Sequence, residues 1–193
     1  MKMNKIVLAS LLSVSLLGAS TSVFADDTAN TSTSFTVGNG ELKFAKDAKN
    51  NALVTSSLTF KGATVADLLN KEYTDQQPFT ATVNDTTGNS KQGWTMTATY
   101  VPLHNGDETL GETLTIGSVA LKEGSLSGVA YQATPEENAD ALKNHQGNKS
   151  VGSETDAKLE IPSGTASVSG EYVGSIAWTL QATPENTAVT PAP

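Results

Sequence analysis

The chain has 193 residues, no cysteine, 12 Lys with no Arg, and a formal charge of −8 at pH 7. Without cysteine it has no disulfide framework, no thiolate metal site and no catalytic thiol. Its acidity argues against nucleic acid and anionic membrane as partners, since both require clustered cations.

The first element is a leader. Lys2 and Lys5 precede the short apolar run from Ile6 to Leu17, and "SVFA" ends on a small residue at Ala25. This is the pattern of a secretory signal peptide over 1–25, cleaved before Asp26, and the run is too short to span a membrane. Cleavage leaves 168 residues with 10 Lys against 20 acidic groups, a charge of about −10. A polar, flexible lead is expected over 26–33.

The body, residues 34–185, reads as a single β-rich domain. In "WTMTATY", Trp94, Met96, Ala98 and Tyr100 share one parity and Thr95, Thr97 and Thr99 the other, which predicts a half-buried strand. Further strands are expected in "SFTV" (34–37), "ELKF" (41–44), "SSLTF" (56–60), "FTATV" (79–83), "ETLTIGSVAL" (112–121), "LSGVAYQA" (126–133), "AKLEI" (157–161) and "EYVGSIAWTLQA" (171–182). Gly, Asn and Pro clusters punctuate them. Two short helices are expected, one capped by Thr64 and one by Thr134. The second has Pro135 at its first position, Glu137 completing a capping box and Gly147 as its stop. "QATPE" occurs at 132–136 and again at 181–185, each time after a predicted strand, and reads as a strand-stop. A flexible tail is expected over 186–193. The predicted fold is all-β: an antiparallel β-sandwich, immunoglobulin-like, with one or two short helices.

No catalytic constellation is legible. His104 and His145 lie in no Ser/His/Asp pattern and read as exposed histidines, and no zinc motif or phosphate loop occurs. No cofactor or metal is expected. The acidic turn of Asn105, Asp107, Glu108 and Glu112 reads as a solvated loop rather than a calcium site. Asp85 and Asn89 read as turn formers. The aromatic residues leave two alternatives. Tyr172, Gly174, Ile176, Trp178 and Leu180 share one strand face, as Trp94 and Met96 do on theirs. Such a row is either core or a platform for a ligand such as a sugar ring. A bend or bulge is expected near Gly174, because a strand running unbroken from 172 to 182 would be long.

These segments carry a resemblance. "KQGWTMTATY" resembles the proximal motif of WxL-domain proteins, with Met96 in place of Leu. "EYVGSIAWTLQATP" resembles their distal motif, with Tyr172, Ile176, Trp178, Leu180 and Pro184 in register. "VNDTTGNSKQGW" resembles the lead-in Val-x-Asp-x-Arg-Gly, with Thr87 at the position where Arg is common. The resemblance covers about residues 34 to 185. It implies a non-enzymatic protein secreted by a Gram-positive bacterium and attached non-covalently to its cell wall, with peptidoglycan as ligand. It also implies membership of a surface complex that includes a WxL-interacting partner protein. The ligand-binding candidates are Trp94, Met96, Tyr172, Trp178 and Leu180. The alternative implied is a structural or adhesive subunit held mainly by the partner protein, by strand addition.

Overall fold

The structure, a computed structural model, describes residues 34–37, 40–89, 91–165 and 168–183. The leader, the lead over 26–33, Pro184 and the tail over 186–193 lie outside the described residues. Contacts divide the chain into two units, Met1–Thr36 and Val37–Pro193. All the described strands and helices belong to the second.

In chain order the elements are β1 (Leu42–Phe44), α1 (Val65–Asn70), β2 (Tyr73–Asp85), β3 (Trp94–Asn105), β4 (Glu108–Thr109), β5 (Thr113–Ile116), β6 (Val119–Leu121), β7 (Ser127–Ala133), α2 (Pro135–Asn144), β8 (Asn148–Ile161) and β9 (Val173–Ala182). They form an all-β, sandwich-like fold of two antiparallel sheets with two helices. One sheet has the order β1-β2-β8-β5-β6. In the other, β3 takes β9 along one edge and β7, then the short β4, along the other.

The alternation read in β3 sets the core. Trp94, Met96, Ala98 and Tyr100 point inward and are buried, with Trp94 and Met96 at 0% exposure. Facing them from the other sheet are Phe79, Ala81 and Val83 of β2, Leu114 and Ile116 of β5, and Ala157, Leu159 and Ile161 of β8. The repeated "QAT" acquires a structural meaning here. Ala133 and Gln132 of β7 stand opposite Trp94 and Thr95 on one side, and Ala182 and Gln181 of β9 stand opposite the same pair on the other. The two copies therefore hold matching registers on the two edges of β3. The first copy ends in the cap of α2. The second ends with the Thr183 N–H donating to Gly93 O and the Gly93 N–H donating to Thr183 Oγ1.

Both predicted helices form with complete capping boxes, Thr64 with Asp67 and Thr134 with Glu137. At the end of α2, the Gly147 N–H donates to Ala141 O. Gly147 sits at φ +82, and a Cβ there would lie 2.3 Å from Asp85 O, so the stop demands glycine. A buried polar cluster ties α2 to the sheets. Asn138, 1% exposed, donates to Asp85 Oδ2 at 2.7 Å and to Gln92 O at 3.0 Å. Asp85 Oδ1 accepts both the N–H and the hydroxyl of Thr87. Asp85 is thus the turn former expected, but a buried one that also anchors a helix.

Several expectations need correction. "SFTV" forms no strand, and "ETLTIGSVAL" is a hairpin folded at Gly117–Ser118, not one strand. "SSLTF" pairs with no strand, although Leu58 and Phe60 keep the predicted inward parity. Pairing along β2 reaches Thr55 and Thr80 and stops two residues short of Pro78, which has no N–H to offer. β2 and β8 run far beyond the predicted "FTATV" and "AKLEI". They pair with each other from Tyr73–Ile161 to Asn84–Asn148, which sustains polar stretches that carry no strand signal of their own. Glu112, read as part of a solvated loop, is buried at 3% exposure.

The Asp67 carboxylate of the α1 cap is held at about 2, from an ordinary 3.8, by the Thr64 hydroxyl first and by Lys71 next. A depressed carboxyl stabilises the fold fully above its unfolded value, and that contribution is lost as pH falls through its folded value. Asp67→Asn should therefore melt below the wild type at neutral pH. Melting curves across a pH series should show the difference closing between about 4 and about 2.

Candidate functional site

β9 is hydrogen-bonded on one side only. It pairs with β3 from Ala182–Trp94 to Val173–His104, and no pairing is found on its other edge among the described residues. The ladder slips between Val101 and His104, so the extra residue lies in β3, opposite Gly174. A Cβ on Gly174 would come within 2.5 Å of Val101 O, so glycine is what lets β9 lie against the bulged strand. The irregularity expected near Gly174 is present, carried by its partner.

No residue of β9 is fully buried. Ile176, Trp178 and Leu180 face the other sheet and are half-buried against the core. The Trp178 ring lies 4.9 Å from that of Phe79, tilted by 35°. Phe79 in turn stacks on Tyr131 at 5.7 Å. Tyr172, just before the strand, is also half-buried, and its hydroxyl bonds both the N–H and the carbonyl of Val168 at 3.1 Å. It thereby closes the loop that leads into β9.

Across from β9 runs the extended segment of residues 55–64. Between the two lies an apolar groove built from adjoining cavities of ≈ 710 Å³ and ≈ 260 Å³, which share Leu58, Phe60, Leu103 and Gly174. Tyr172 lines the larger cavity; Ile176 and Trp178 line the smaller. The floor of the smaller is core: Phe79, Tyr100 and Leu114. The Tyr100 hydroxyl donates to Glu112 Oε1 at 2.6 Å, and the same oxygen accepts the Leu103 N–H at 2.7 Å. Burial, then the Glu112 carboxylate, pushes the Tyr100 phenol up, so it stays a fixed donor through the neutral range. The 55–64 wall is pinned at one end by Lys61, whose N–H donates to Asp75 Oδ2 and whose carbonyl accepts the Tyr73 hydroxyl.

The predicted site residues separate into two groups. Trp94 and Met96 have no exposed surface, so of the two alternatives read for them the structure takes core, and they are withdrawn as ligand contacts. Trp94 Nε1 has no hydrogen-bond partner among the described residues, so the indole is held by packing alone. Tyr172 and Trp178 reach the groove. Leu180 faces the same way but packs beyond it, where β1 lies beside β9. Leu58 and Phe60, which form the opposite wall, were legible only as an alternating pair in a misread strand. The two resembling motifs lie side by side in one ladder, with Met96 opposite Leu180 and Ala98 opposite Trp178. Thr87, where the lead-in has Arg, is a ligand of Asp85.

The outer face of the same sheet differs from the rest of the protein's acidic surface. Thr95, Thr97, Thr99, Val101, Ser127, Val129, Ser175, Ala177, Thr179 and Gln181 point away from the core, and none is charged. Among the described residues, no group of three His, Asp or Glu is placed to hold a metal, and no helix is long and apolar enough to cross a membrane.

Comparison with known proteins leaves the family open, since no protein-family model matches the chain and no curated protein matches it.

The two tryptophans should behave differently. Trp94→Ala should cost about 3–5 kcal/mol in urea unfolding, as for core aromatics. Trp178→Ala should leave a folded domain, at about 1–3 kcal/mol, because its side chain is only partly buried. In acrylamide quenching, Trp178→Phe should remove the accessible emission and leave the shielded emission of Trp94.

Proposed function

We propose that this chain is a non-catalytic extracellular module of the WxL-domain kind. It is held non-covalently at a Gram-positive cell surface by a protein partner of a surface complex. The observation that carries this reading is the free edge of β9 above an apolar groove. Natural sheets normally cover, shorten or charge such an edge. Here the edge strand has ten residues and none is charged. An added strand would complete the backbone ladder, and the half-buried Ile176 and Trp178 would gain the cover they lack. Resemblance of both motifs to the WxL family, and the leader over 1–25, support secretion and the surface setting.

A second reading, direct attachment to peptidoglycan, is favoured by the uncharged Thr and Ser face of the β7-β3-β9 sheet. A chain of charge about −10 is repelled by the polyanions of such a wall, whereas a neutral hydroxyl-rich face meets sugars and peptide amides without that penalty. Neither reading involves nucleic acid, a cofactor, a metal or direct membrane binding.

Ile176→Glu places a carboxylate on the groove face of β9. It should abolish capture of the partner from surface-complex extracts while leaving binding to acid-stripped peptidoglycan unchanged. Thr97→Glu with Thr179→Glu, on the outer face, should leave partner capture intact. Retention by stripped peptidoglycan that survives Ile176→Glu but is lost with the outer-face pair would make the wall the primary ligand.

A further inference from the structure

We infer that the groove beneath β9 accepts the N-terminal segment around Phe35 and Val37 of a second copy of this chain, so that copies assemble by strand donation. This rests on the reading that the groove takes an extended strand, and it names the strand.

Three observations point to this occupant. Phe35 and Val37 are 91% and 80% exposed, the most solvated large apolar side chains described, and they lie in no strand. They alternate with Ser34 and Thr36, so in extended form both point to one face and the polar pair to the other. This is the pattern of a strand half-buried by a neighbour, and no strand pairs with the segment among the described residues. The groove offers the complementary half: a strand edge without a partner and an apolar floor.

Charge agrees. Residues 28–40 carry no charged side chain, and neither does any residue of β9. In an acidic protein these are two stretches that can approach each other without repulsion. Length agrees too. The chain is fastened at Glu41, whose N–H and carbonyl both bond Thr86. From this anchor back to Phe35 the chain has six residues, at most about 20 Å when extended. Phe35 and Val37 can therefore reach the groove of a copy that packs close against the first. Reciprocal exchange closes at a dimer, whereas one-way donation leaves one groove open and continues.

Lacking cysteine, the chain allows a clean test. Ser34→Cys and Ser175→Cys are made separately in the full secreted chain and mixed under mild oxidation. The expected product is a disulfide-linked heterodimer of the two variants, well above either homodimer. Light scattering of the wild type across a concentration series should show mass rising above the monomer. Phe35→Asp with Val37→Asp should weaken self-association about a hundredfold or more, because carboxylates would have to enter an apolar groove unpaired. The melting temperature of the diluted monomer should be unchanged. A wild type that stays monomeric and forms no cross-link overturns the inference. So do cross-links confined to homodimers of either single variant. If the wild type is monomeric while Ile176→Glu still abolishes partner capture, self-assembly fails and the partner reading stands. If Ile176→Glu changes neither assembly nor capture, both fail.

Discussion

The fold depends on β3 being paired on both sides. Its inward row of Trp94, Met96, Ala98 and Tyr100 fills the space between the sheets, so its position decides where every facing side chain must go. β7 and β9 lie against it in matching register, each bringing Gln and Ala to Thr95 and Trp94. Because side chains alternate with period two, this register sends the Thr row of β3 to the outer face, and a shift of one residue would invert both faces. Beyond β7 the sandwich continues toward β6, where the Ser118 N–H reaches Ala130 O. Beyond β9 no further strand is paired among the described residues. β1 of the other sheet lies beside part of it, and the groove opens between β9 and the 55–64 segment.

Two buried carboxylates hold the surroundings of that core in place. Asp85 is satisfied by Asn138 and Thr87, which binds α2 and the turn before β3 to the end of β2. Glu112 accepts from the Tyr100 hydroxyl and the Leu103 N–H, fixing β3 where it bends toward the groove. Removing the donors of a buried carboxylate leaves it unpaired at high cost, so each of these contacts specifies one geometry. The bulge of β3 opposite Gly174 then sets how β9 approaches and where Tyr172 closes its entry.

Legibility followed the range of the interactions. Both helix caps were readable because a capping box is written within four residues, and Gly147 because its backbone conformation is local. The parity of β3 and of the 172–180 row was readable because alternation is itself the signal. The long halves of β2 and β8 were not. "YTDQQP" becomes a strand because it pairs with "AKLEI" of β8, and "NKSVGSETD" because it pairs with "FTATV" of β2, each across more than sixty intervening residues. Glu112 looked like one acidic residue among several in a turn, and nothing nearby in sequence announces that Tyr100 and the Leu103 N–H will converge on it.

The row from Tyr172 to Leu180 shows the division most clearly. The sequence by itself determined that these side chains share one face, since strand geometry allows nothing else. It also determined that the chain is acidic, free of cysteine and built from short alternating strands. Only the tertiary structure decided that Trp94 is sealed while Trp178 borders an opening. The two indoles have near-identical local patterns. Trp94 lies on a strand with neighbours on both edges, and Trp178 on a strand with one. Burial is a property of what packs around a residue, and that depends on long-range pairing which no local spacing encodes.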